Sequence, residues 1–132
     1  MICKFSLAKE GNKAVSKNFK VREFKCKGTD DVLIDHELLT YLQHIRNHFG
    51  YAVHITSAYR TPKHNTSVGG TSNSQHLKGK ACDFYVENVD TKVLYDFCDE
   101  LIGTNGGVGF YPDKNVVHID TRGTKARWTQ KG

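Results

Sequence analysis

The sequence predicts an α+β domain, a small antiparallel sheet with flanking helices. Three observations point there. Two segments repeat apolar residues at helical spacing, and four short segments have strand length and composition. The last two strand segments follow one another across a turn, and strands in direct succession argue for antiparallel pairing.

Taken in order, residues 1–18 read as an irregular N-terminal arm, mixed and polar. An apolar rhythm begins at Phe19, Val21 and Phe24. From Asp35 the pattern becomes helical: Leu38, Leu42, Ile45 and Phe49 share one face, with Asp35 as the expected N-cap and Gly50 as the stop. Residues 52–56 alternate like a strand. Residues 57–80 form a long polar stretch that holds Pro62, Gly69, Gly70 and Gly79. Loops longer than about 15 residues in compact domains are functional or disordered, and the density of potential ligands here favours function. Residues 81–86 read as a strand. Val93, Leu94, Phe97, Cys98 and Leu101 make a second helical face that Gly103 ends. Residues 108–111 and 116–120 read as strands joined by a turn at 112–115.

A chain of 132 residues with 38% hydrophobic and 25% charged residues fits one folded domain, 1–132, and not a disordered polymer. No window approaches the roughly 18 apolar residues of a membrane span. The first ten residues are too short and too charged for a secretory signal, so the expected product is made in the cytoplasm without a signal peptide. The net charge of +5 favours anionic partners such as nucleic acid, acidic lipid or cell-wall polymers. Its lysines are scattered, as on an ordinary solvated surface, and no nucleic-acid-binding signature accompanies them, so no nucleic-acid partner is expected. Cys3, Cys26, Cys82 and Cys98 contain no CxxC pair and read as reduced thiols.

The chemistry lies in two segments, residues 74–83 and 116–120. A catalytic zinc is held by three side chains, with water in the remaining position. His76 and Asp83 flank a glycine-containing turn that can bring both to one ion. On the 81–86 strand, Asp83 shares a face with Ala81 and Tyr85. On the last strand, His118 and Asp120 share one face while Val117 and Ile119 point to the core. The two strands can therefore aim Asp83, His118 and Asp120 at one point. Plain alternatives stand beside this reading: Asp83 as a turn cap, and Asp120 as the salt-bridge partner of Arg122 or Arg127. His36, His44, His48, His54 and His64 read as surface histidines. His44 and His48 form an i, i+4 pair, but with no third ligand and no HExxH glutamate.

Ser74-x-His76, Gly79-x-Ala81-x-Asp83 and the later His118-x-Asp120 resemble the zinc D-Ala-D-Ala carboxypeptidase and peptidoglycan endopeptidase group, the M15 peptidases, which are related to the hedgehog signalling domain. The segments 56–62, Asn65, 68–70 and 118–128 are similar to that group as well, so the resemblance runs from about Phe19 to Trp128. It implies a hedgehog/D-Ala-D-Ala peptidase-like fold and one Zn2+ held by His76, Asp83 and His118. It implies that Arg60 engages the substrate beside the scissile peptide and that Ser74 hydrogen-bonds substrate; alone, these would read as a surface ion pair and a turn residue. Several relatives carry an acidic residue three positions before the last histidine, where this chain has Asn115. Asp120 is then the first choice for general base and Asp113 the second, and either carboxylate can instead orient a ligand histidine.

The resulting expectation is a zinc metallopeptidase acting as a monomer on peptidoglycan stem peptides. It would act either as a carboxypeptidase that removes terminal D-Ala or as an endopeptidase that cuts, for example, between L-Ala and D-Glu. A phage or prophage lytic enzyme, or a wall-remodelling one, is the expected setting, reaching the wall after phage-type release. The alternative is a wall- or protein-binding module that keeps zinc and has lost catalysis.

Overall fold

The structure is a computed structural model that describes residues 1–130. The chain opens with β1 (Ile2–Ser6), α1 (Leu7–Glu10), β2 (Ala14–Ser16), β3 (Phe19–Lys20) and a 3₁₀ turn at Val21–Phe24, then β4 (Asp31–Asp35). α2 (His36–Phe49), β5 (Val53–Ser57) and α3 (Pro62–Ser67) follow. A 3₁₀ turn at Gln75–Lys78 leads into β6 (Ala81–Val86) and α4 (Thr91–Ile102). β7 (Gly107–Tyr111), a 3₁₀ turn at Pro112–Lys114, β8 (Val116–Asp120) and β9 (Ala126–Thr129) complete it.

The main sheet has the order β5-β6-β8-β7-β9 and is antiparallel except at its edge, where β9 runs parallel to β7. The α+β class therefore stands. Alternation sorts this sheet into two faces. Ile55, Cys82, Phe84, Val86, Val108, Val117 and Ile119 join Leu38, Leu42 and Ile45 of α2 and Leu94, Cys98 and Ile102 of α4 in one core. Asp83 and His118, one step away from those core residues, are carried on the other face, opposite each other in register.

Two segments depart from the sequence reading. Residues 1–18 are not an irregular arm: β1 pairs with β4 from Ile2↔Asp35 to Ser6↔Asp31, and Ser6 caps α1. The partner lies some thirty residues downstream, so no local pattern marks it. The 57–80 stretch is not structureless either. Thr61 caps α3 and Ser74 caps the 3₁₀ turn at 75–78. The buried Asn65 holds the connection closed, donating to the Thr71 carbonyl and accepting from Arg60. Asp35 does stand at the N-cap of α2, but its carboxylate makes no capping bond; it is buried and accepts from the Thr121 hydroxyl.

Gly79 ends the second 3₁₀ turn at φ +73, and a Cβ there would lie 2.5 Å from the Leu33 carbonyl oxygen of β4. Only glycine satisfies both the left-handed backbone and the close approach. Gly79→Ala is expected to lower folding stability by about 1–3 kcal/mol, read as a drop in the urea midpoint. An unchanged midpoint would mean the turn tolerates a side chain and β4 does not fix it.

Candidate metal centre

Three elements deliver three donor atoms. The 75–78 turn buries His76, whose backbone nitrogen donates to Ser74 Oγ and whose carbonyl accepts from the Arg60 nitrogen. β6 supplies Asp83, and β8 supplies His118 directly across the ladder. His76 Nδ1 lies 2.6 Å from the Ala58 carbonyl. A carbonyl only accepts, so Nδ1 carries the hydrogen and Nε2 presents its lone pair. That Nε2 is 3.4 Å from Asp83 Oδ1, and His118 Nδ1 is 2.9 Å from the same oxygen. All three donor atoms lie within 4.8 Å of one another.

The donor set fits zinc. Nitrogen and oxygen ligands at about 2.0–2.1 Å in a tetrahedron stand about 3.3 Å apart, between the 2.9 and 3.4 Å that separate the two imidazoles from Asp83 Oδ1. Both imidazoles are also oriented from behind, His76 by the Ala58 carbonyl and His118 by Asp120, whose Oδ2 lies 2.8 Å from His118 Nε2. Such acceptors fix the tautomer that turns the remaining nitrogen toward a metal.

The charges are mutually adjusted. Burial pushes the Asp83 carboxyl upward, but its interactions with His118 and His76 outweigh it and hold Asp83 well below the usual carboxylate range. Burial disfavours the charged form of His118, yet its bonds to Asp120 and Asp83 raise its pKa above the ordinary value. Asp120 is opposed by burial in the same way and is held low by Arg122 and His118.

Asp120 is fully buried and accepts five hydrogen bonds: from the Gly107 nitrogen, the Arg122 nitrogen, Arg122 Nε and Nη2, and His118 Nε2. It lies on the opposite side of the His118 ring from Asp83. The expectation that Asp120 is the general base meets this geometry badly, because its lone pairs are committed and it faces away from the donor cluster. It is placed to orient His118. Its cationic partner is Arg122, whereas Arg127 binds Asp99 and the carbonyls of Gly103 and Gly106, fastening β9 to the end of α4. Asp113, the second choice, sits in the exposed 112–114 turn; from that segment the side chains facing the cleft are Tyr111 and Lys114.

Arg60 does reach the cluster. Its Nη2 is 3.6 Å from Asp83 Oδ2, and its other nitrogens donate to Ser57 Oγ and Asn65 Oδ1. Ser74 lines the same cleft, a space of about 500 Å3 over His76, Asp83 and His118. A second hollow of about 370 Å3 adjoins it, sharing Arg60, Val68, Asp83, Tyr111 and Lys114.

Two residues of this site, Trp128 and Tyr111, were given no role by the sequence reading. Trp128 on β9 packs its ring 4.9 Å from that of His118, with the Arg122 guanidinium 5.3 Å from the indole. Its Nε1 donates to the Tyr111 hydroxyl at 3.0 Å. The available signal was the Gly107-x-Gly109 pair: glycines on a strand mark close approach. A Cβ at Gly107 would meet Asp120 Oδ2 at 2.4 Å, and one at Gly109 would meet Trp128 Nε1 at 2.6 Å.

Residues 15–120 match the family described as Peptidase M15, and the chain belongs to that family. It is 33% identical over 128 residues to the probable peptidoglycan L,D-endopeptidase MepK of Haemophilus influenzae, a match covering 89% of this chain and 66% of that protein. It is 36% identical over 81 residues to the peptidoglycan L,D-endopeptidase MepK of Escherichia coli K12, covering 58% of this chain and 43% of that protein. The chain thus spans less than two thirds of the length of these curated relatives. Among the described residues, no helix is long and apolar enough to cross a membrane.

Two outcomes follow from the geometry. Asp120→Asn is expected to weaken zinc affinity about 10–100-fold, measured by competition with a chromophoric chelator; unchanged affinity with lost turnover would return Asp120 to the role of base. Zinc binding is also expected to release protons and to weaken steeply as pH falls below neutrality. The raised pKa of His118 keeps its imidazolium populated there, and an imidazolium has no lone pair to give. A pH-independent affinity would remove His118 from the ligand set.

Proposed function

We propose that this chain is a zinc-dependent peptidase that cuts the stem peptides of bacterial peptidoglycan, as an endopeptidase at a bond between an L- and a D-residue. The observation that carries the reading is the convergence of His76 Nε2, Asp83 Oδ1 and His118 Nδ1 on the floor of an open cleft. Family membership supports peptidase chemistry, and the names of the relatives support the substrate and bond class. Two adjoining hollows that share Asp83 leave room for substrate beyond a terminal residue and so favour an internal cut. The positive charge of the chain suits an anionic wall.

Zinc, when bound by His76, Asp83 and His118, supplies a Lewis acid that polarises a carbonyl and makes water more acidic. Arg60 is held by Ser57, Asn65 and Asp83 with its guanidinium turned to the same cleft, placed to bind a carbonyl oxygen as negative charge develops on it. Tyr111 keeps its own hydroxyl hydrogen after accepting from Trp128, so it can donate to substrate. Trp128 packs its ring against that of His118. Ser74 serves chiefly as the cap that fixes His76.

A second reading, a module that binds zinc and wall without turnover, is favoured by one observation. Asn115 stands where several relatives carry an acidic residue, and Asp83, itself a donor to the metal, is the carboxylate lining the two hollows.

Zinc-loaded protein incubated with purified sacculi is expected to release soluble muropeptides that mass spectrometry assigns to an L,D cut. Chelation should abolish release and returned zinc should restore it. His76→Ala should lose both stoichiometric zinc and hydrolysis. Zinc-loaded protein that sediments with sacculi yet releases nothing would establish the binding module instead.

A further inference from the structure

We infer that the hollow beside the metal cluster, built by Arg60, Tyr111 and Lys114, is a subsite for a free carboxylate on the substrate, so that the chain distinguishes acidic stem peptides from their amidated forms. The inference rests on the peptidase reading for its biological meaning, but its chemistry stands in the lining. Thr56, Ser57, His64 and Val116 complete the walls. The acidic side chain there is Asp83, and both of its oxygens are engaged: Oδ1 with the two imidazoles, Oδ2 with Arg60. Of the other polar groups, Arg60, Tyr111, Ser57 and Lys114 offer donors, while the Thr56 hydroxyl donates to the Asp83 carbonyl. Arg60 is mostly buried and aims its guanidinium across Asp83. Tyr111 accepts from Trp128 and retains its own hydrogen. Ser57 accepts from Arg60 Nε and likewise retains its hydroxyl hydrogen. Lys114 stands exposed on the 112–114 turn and lines both hollows.

A space of about 370 Å3 lined by these donors, with the held Arg60 guanidinium and the Lys114 ammonium at its rim, takes an anionic group of a peptide. A carboxylate accepts two bonds from a guanidinium and one from a phenol, whereas a carboxamide in the same place presents an NH2 to them and leaves donors facing donors. Discrimination is therefore expected at this subsite even though the peptide bond to be cut is identical in both substrates. Salt should diminish it, because Lys114 is open to solvent.

The test separates recognition from cleavage. Two dipeptide amides are titrated calorimetrically into zinc-loaded protein: γ-D-Glu-L-Lys-amide, and the same molecule with its single free carboxylate converted to carboxamide. Their one peptide bond runs from D-Glu to L-Lys, the reverse of the L-to-D bond proposed for cleavage, so the heat reports binding alone. The acid is expected to bind about tenfold more tightly than the amide at low salt. Lys114→Met should reduce that preference to about threefold or less while zinc stoichiometry stays at one. Lys114→Arg should keep most of it. Lys114 is exposed, so the substitutions leave the core untouched. Equal affinity for the two probes, failure of both to bind, or a preference untouched by Lys114→Met would overturn the subsite. Digestion of sacculi is scored separately: a carboxylate preference without digestion sinks the peptidase reading and leaves the subsite standing.

Discussion

The buried carboxylate of Asp120 is the constraint from which the site is built. A lone ionised carboxylate with no exposure would cost several kcal/mol; here the cost is offset by five donors drawn from three directions. Each donor fixes something else. The Gly107 nitrogen sets the start of β7 against the end of β8. The Arg122 guanidinium is locked under Trp128, and the Trp128 indole in turn lies over His118. His118 Nε2 is held, so Nδ1 must face Asp83. Glycine at 107 is a condition of this packing, since any larger residue would strike Asp120 itself. A single anion thus organises the imidazole, the aromatic cover and the strand edge together.

Asp83 plays the complementary part. Its side chain stands between two imidazoles and a guanidinium, and the balance of burial against those hydrogen bonds keeps it ionised. Because each imidazole is anchored from behind, neither can swing away to satisfy itself elsewhere. The cluster is pre-organised for a cation by the rigidity of β6, β8 and the Ser74-capped turn, and rigid elements hold such geometry better than loops do.

Much of this was legible in the chain, because the relevant signals are local. Alternation on 81–86 and 116–120 puts Asp83 and His118 on a common face, and the apolar spacing of α2 and α4 marks the opposite face as core. The SxHxxGxAxD spacing reflects a cap, a left-handed glycine and a strand in succession, each tied to a physical requirement. What stayed hidden depends on distant partners. β1 is a strand because β4 completes it. β9 is short and mixed in polarity, and becomes a strand through its pairing with β7 and the Arg127 anchor on α4. Strand alternation correctly groups Asp120 with His118, but it cannot tell that an imidazole presents two nitrogens on opposite sides, one for each carboxylate.

Asn115 sharpens the question of proton transfer. It adopts φ +56 at the end of the 112–114 turn, a left-handed conformation that asparagine accepts more readily than most residues, so the turn itself accounts for its presence. For Asp120 to take its place as base, Arg122 or His118 would have to release it, and the loss of either bond would leave a buried charge exposed to the cost that the packing exists to offset. For Asp83 to take a proton, it would have to give up the interactions that make it a ligand. Under the peptidase reading, neither of these two carboxylates is therefore placed to take a proton without losing the bonds that hold it.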